Sequence, residues 1–196
     1  MAQSNRMTTK RNRLTKIFAI VCTLSLIMLV GCDKKVPINT NDSSNPTVTI
    51  KVNGPNGYQE QTSVDHTNST SQEAIDIMAI VEDPQGVKSI KLLVSDKTVD
   101  VAYCGGGLHP GNHPVADLPV PAEMNVSGSS GKVPTKIFVM MTIPKLLKIE
   151  TNPPGETGTC YPANNTQISL KCVGKNWSSN PTKSTNIKYL NIKFKI

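Results

Sequence analysis

The chain has 196 residues and carries 21 Lys and Arg against 14 Asp and Glu, a formal charge of +7 that invites a nucleic-acid reading. Five of those basic residues, Arg6, Lys10, Arg11, Arg13 and Lys16, precede Cys32 with no acid among them, which leaves 16 basic and 14 acidic residues and no arginine beyond it. Without guanidinium forks for phosphates and base edges, and without a basic run interleaved with aromatics, nucleic acid is set aside as a partner.

Behind the basic head, residues 17–30 are uncharged and mostly apolar. Crossing a bilayer takes about 20 residues at helical rise, so this run is short for a span and suits the apolar core of a signal peptide. It ends in Leu29-Val30-Gly31-Cys32. The arrangement resembles a bacterial lipoprotein signal peptide with its lipobox. That resemblance implies removal of residues 1–31, including Cys22, and a thioether-linked lipid carrying palmitate-type chains on Cys32. Two or three acyl chains anchor stably where one binds marginally. It also implies a membrane partner through the anchor and a place in the cell envelope, facing the periplasm or the exterior. Inner and outer membranes both stay open, although an aspartate in the position of Asp33 tends to retain enterobacterial relatives in the inner one.

Residues 32–46 comprise the lipid-bearing cysteine and DKKVPINTNDSSNP, poor in apolar residues and rich in turn formers. They are expected to form a flexible tether, reaching on the order of 45 Å at full stretch. Residues 47–196 are expected to fold. Residues 47–52 alternate Val48, Ile50 and Val52 with polar positions, and Gly54-Pro55-Asn56-Gly57 turns the chain. Residues 63–71 read as a polar loop, with no role for His66. Residues 74–81 place Ile75, Ile77, Ala79 and Val81 on one face, and after Glu82-Asp83-Pro84-Gln85-Gly86 residues 87–95 do the same with Ile90, Leu92 and Val94. The stretch AIDIMAIVEDPQGVKSIKLLVSD resembles consecutive strands of bacterial immunoglobulin-like modules. The resemblance implies a fold and no particular activity.

Residues 97–103 are expected to form a short edge strand. Residues 104–132 hold too much Gly and Pro for a regular element, and a loop so long is either functional or disordered. Residues 136–143 are apolar on both faces, as in a central strand, and residues 145–149 read as a helical turn or more strand. After a loop at 151–165, residues 167–173 and 188–196 suggest a closing hairpin. Its inward rows are Ile168, Leu170 and Cys172 against Leu190, Ile192, Phe194 and Ile196. These elements predict an all-β, immunoglobulin-like two-sheet sandwich, preceded by a helical signal peptide and a flexible tether.

The candidate chemistry is sparse. Outside the cytoplasm disulfides are permitted, and the spacing of Cys104, Cys160 and Cys172 leans towards a Cys104 to Cys160 bridge over Cys160 to Cys172, with Cys172 a buried thiol. Cys104, His109 and His113 give Cys-x4-His-x3-His, a thiolate and imidazole set. Pro110 and Gly111 oppose the helix that would aim both imidazoles at one metal, and no fourth ligand is near. No metal site and no cofactor are therefore expected. Gly105-Gly106-Gly107 lacks the lysine and helix of a phosphate loop, and nucleophile-elbow and zinc-protease patterns are missing. Asp83 and Asp96 read as turn acids, ahead of a calcium site between them. The sequence thus points to a non-catalytic, lipid-anchored module that meets another envelope protein through residues 104–132. The alternatives are a metal-handling protein or enzyme using Cys104, His109 and His113, and a small-ligand or glycan binder, for which aromatics are few.

Overall fold

In the computed structural model, which describes residues 34–195, the alternating segments pair into two facing sheets. The leader, the lipobox with Cys32, and Ile196 lie outside the described residues. One sheet has the order β11 (Lys136–Ile143), β5 (Ile75–Glu82), β2 (Thr47–Gly54), β3 (Gly57–Glu60). The other runs β4 (Ser63–Thr67), β15 (Thr185–Lys195), β14 (Gln167–Asn176), β6 (Val87–Asp96), β9 (Ala122–Asn125). Every pairing is antiparallel except β4 with β15. Period-two alternation sends Ile50, Ile77, Ala79 and Val81 inward from the first sheet, to meet Ile90, Leu92, Leu170, Ile192 and Phe194 from the second, all buried. The N-terminal strand is divided between the sheets, β2 joining β5 and β4 joining β15. The protein is an all-β, immunoglobulin-like two-sheet sandwich, with no helix among the described residues.

Two smaller sheets complete it. A four-stranded accessory sheet has the order β12 (Lys148–Ile149), β8 (Gly107–Ala116), β7 (Thr98–Cys104), β13 (Tyr161–Pro162), and β1 (Lys35–Pro37) pairs with β10 (Lys132–Pro134). The Asp-Pro-Gln-Gly turn between β5 and β6 forms as its residues dictate. Asp83 Oδ1 accepts from Gln85 N at 2.8 Å, Asp83 O from Gly86 N at 3.1 Å, and Gly86 takes φ +112°.

Five expectations change. Residues 34–46 do not hang free as a tether: Lys35 to Pro37 pair with residues 132–134, Ile38 N bonds Gly131 O, and Asp42 is buried. This strap is held by side-chain polar contacts that hydropathy does not register. Residues 63–67 are strand rather than loop, because β15 offers a free edge for parallel pairing. Residues 107–116 form β8 despite Pro110 and Pro114, since a register slip between Val99 and Val101 lets the ladder pass the prolines, and Gly111 adopts φ +148° beside it. It makes β7 an interior strand of its sheet. Residues 136–143 lie at a sheet edge rather than its centre, so Met140 on the outer face is 48 % exposed.

Strand direction gives the sandwich two distinct ends. β6 starts at Val87 beside the strap and finishes at Asp96, where the accessory sheet begins, while β14 runs back from Gln167 to Asn176. Ten residues of strand separate the ends by roughly 33 Å.

Candidate functional site

The accessory sheet is built around the β7–β8 hairpin. Cys104 and Gly107 close a two-residue loop in which Gly105 and Gly106 take φ +54° and +90°, the mirror-image turn that matches strand twist and needs residues free of a Cβ. The tip is fastened from below. Cys104 is joined to Cys160 by a disulfide with Cα atoms 4.6 Å apart, Ile149 N donates to Cys160 O, and Ala163 N donates to Val101 O. His109 Nε2 approaches Glu156 Oε1 at 3.1 Å, poorly aligned for a hydrogen bond but placed to pair when the imidazole is protonated.

Register sorts the side chains by face. Ala102, Cys104 and Pro162 turn inward and are buried. Leu108, Tyr103 and Tyr161 are directly opposite one another across β8, β7 and β13, with Pro110 and Val101 as the next pair. Leu108 is 64 % exposed and Tyr103 36 %, with Tyr161 half-buried. The result is a row of two tyrosines and a leucine on a short, covalently braced sheet. Such side chains present large, rigid, amphipathic area and lose little entropy on contact. An open polar cleft of about 710 Å³ lies nearby, bordered by Asp96, Asp100, Asn112, Asn165 and Gln167. Asp96 is a turn acid, its Oδ1 accepting from Thr98 N and Oγ1 at 3.3 Å.

The Cys-x4-His-x3-His residues do not converge as a ligand set. The Cys104 sulfur is in the disulfide, His109 faces Glu156, and His113 Nε2 donates to His109 O at 2.9 Å. Among the described residues no group of three His, Cys, Asp or Glu is placed to hold a metal ion. Cys172 is a buried free thiol.

Two buried polar arrangements went unread in the sequence. His66 is buried, its Nε2 donating to Pro144 O at 2.8 Å and its ring edge-on to Phe194 at 5.4 Å between centroids. At the strap end, Asn176 Nδ2 sits 3.0 Å from Asp42 Oδ2, 2.9 Å from Asp83 Oδ2 and 2.9 Å from Ser44 O, and all three side chains are buried. Three acceptors thus crowd one amide that has two protons. Burial pushes the Asp83 carboxyl up, with the Asp42 charge adding to it against hydrogen bonds from Asn176 and Gln85. For Asp42 burial acts in the same sense but is outweighed by hydrogen bonds from Ser44, Asp83 and Asn176, which hold it below the ordinary carboxylate value. The two carboxyls are thus pushed in opposite directions, Asp83 up and Asp42 down.

No family model matches the chain, and no curated protein does. Among solved structures, the N-terminal domain of PorA aligns over 76 % of this chain and 98 % of its own length, at 13 % identity and a TM-score of 0.30. A likeness that loose says nothing about activity or partners.

Proposed function

We propose that this chain is a non-catalytic, lipid-anchored protein of the bacterial envelope that binds another envelope protein through the Leu108, Tyr103 and Tyr161 row. The observation that carries the reading is the row itself, exposed on a sheet braced by a disulfide at the end of the sandwich away from the strap. Tyrosines on a rigid mount are side chains that interfaces favour as anchors. The lipobox supports anchoring at Cys32, and the anchor puts the disulfide in a compartment where it persists.

Binding is tested by capturing partners from solubilised envelopes with the mature protein and with the variant Tyr103→Ser, Leu108→Ser, Tyr161→Ser. All three positions are at least partly exposed, so the variant folds. A partner recovered with the parent is expected to be lost, since removing such anchors typically costs about 2 kcal/mol or more each. It is expected to remain with Ile187→Ser, Tyr189→Ser, which alters the exposed pair on β15. Equal recovery by all three proteins would refute the assignment. Anchoring is read from radiolabelled palmitate, incorporated by the parent and absent from Cys32→Ala.

A further inference from the structure

The end of the sandwich opposite the accessory sheet gathers lysines around the chain's single tryptophan. Four segments meet there: the strap, the β5–β6 turn, the loop before β11 and the β14–β15 connection. Their closeness is direct. A Cβ on Gly86 would stand 2.3 Å from Val133, 3.5 Å from Val36 and 3.7 Å from Trp177, and one on Gly128 would meet Ile38 and Trp177 at 2.8 and 3.0 Å. Ser179 N bonds Thr40 O at 2.8 Å, and Lys88 Nζ lies 5.3 Å from the centre of the Trp177 ring. On these segments Lys34, Lys35, Lys88, Lys132 and Lys183 are all exposed. Among the described residues the acids nearby are engaged elsewhere: Glu82 pairs with Lys136 at 2.7 Å, and Asp42 and Asp83 are buried with their carboxyls turned to Asn176.

The path of the chain then matters. Because the strap is docked from Lys34 onward, only Asp33 separates it from Cys32, and two residue steps span about 7 Å at most. That is within the Debye length of roughly 8 Å at physiological ionic strength. A free tether would have let the domain drift beyond it. We infer that this end of the domain rests on anionic lipid headgroups, with Lys34, Lys35, Lys88, Lys132 and Lys183 facing the phosphates and Trp177 at headgroup depth. The inference rests on the lipid-anchored reading above, and it deepens it by fixing the domain's orientation. The sandwich stands with its accessory sheet directed away from the bilayer.

Trp177, the only tryptophan, reports the contact. The lipidated mature protein is placed in phosphatidylcholine vesicles, with or without phosphatidylglycerol, containing lipid with a headgroup-borne quencher. Stronger quenching of Trp177 is expected in the anionic vesicles, reversed by added salt. It is expected to vanish in Lys34→Gln, Lys35→Gln, Lys132→Gln, Lys183→Gln, each lysine shifting the seated-to-free ratio about fivefold. Lys88 is kept because it touches the ring. The control Lys97→Gln, Lys145→Gln, Lys148→Gln, Lys193→Gln removes the same charge elsewhere and should quench like the parent. Equal quenching in both vesicle types, or equal loss in both variants, overturns the inference while the anchor stands. Failure of the parent to float with either vesicle overturns the anchor itself, and the orientation with it.

Discussion

Cys172 and Gly174 stand side by side in the inward row of β14, and both constrain the core. Burial pushes the Cys172 thiol up to about 12, so almost no thiolate exists at neutral pH. Cys172 is expected to resist iodoacetamide in the native protein and to react fully in denaturant; native labelling at the denatured rate would contradict the buried assignment. At Gly174 a Cβ would stand 2.7 Å from methyl groups of both Val48 and Val81 on the facing sheet. Gly174→Ala should therefore lose about 1–3 kcal/mol in urea unfolding, an overpacking cost, and unchanged stability would show that the sheets part more easily than this. The inward place of Cys172 was legible from its parity with Ile168 and Leu170. His66 was not, because its neighbours Ser63, Asp65 and Thr67 are polar. The strand that buries it, β15, lies more than a hundred residues away. A parallel edge pairing of that kind leaves no local pattern.

Among the elements, the accessory sheet and the strap were the least legible. Glycines and prolines in residues 104–116 signal a loop because each costs a strand something. The sequence does not show that a bulge and a glycine turn absorb those costs, or that a disulfide then holds the result. The Cys104 to Cys160 link spans 56 residues, which in the chain-entropy picture contributes roughly 4 kcal/mol. Cys104→Ala, Cys160→Ala should raise amide exchange across β7, β8 and β13 while β5, β6 and β14 stay protected; uniform exchange would mean that the accessory sheet and the sandwich unfold together. The strap was misread because Asp42 and Asn176 look like ordinary turn residues, and only the fold brings them to Asp83. Its pH response follows from the opposite shifts of these two carboxyls. Asp42, held low, contributes stability that is lost as pH falls through its folded value. Asp83, held high, contributes stability that is lost as pH rises through its folded value. Protection of strap amides should peak between the two, around the ordinary carboxylate value of about pH 4, and decline on both sides. Asp83→Asn removes the upper limb, so its strap should exchange more slowly than the parent's at neutral pH. Faster exchange would contradict the raised Asp83 carboxyl.

At the scale of the whole described domain, the length of the sandwich separates two unlike ends. The inward rows of the central strands were legible in advance, because simple alternation fixes which side chains meet between two sheets. The polarity of the molecule was not, since it depends on where strands start and stop in space. β6 alone carries the chain from the strap and its lysines at Val87 to the accessory sheet beyond Asp96. Lipid at Cys32 and headgroup contact around Trp177 would hold one end down, leaving Leu108, Tyr103 and Tyr161 facing outward for a partner. The most direct test is photo-cross-linking in cells, with a photoreactive residue at Leu108. A discrete protein adduct, abolished by Tyr103→Ser and Tyr161→Ser on the same chain, is the predicted result. Adducts to lipid alone, or a protein adduct indifferent to those two tyrosines, would contradict the account.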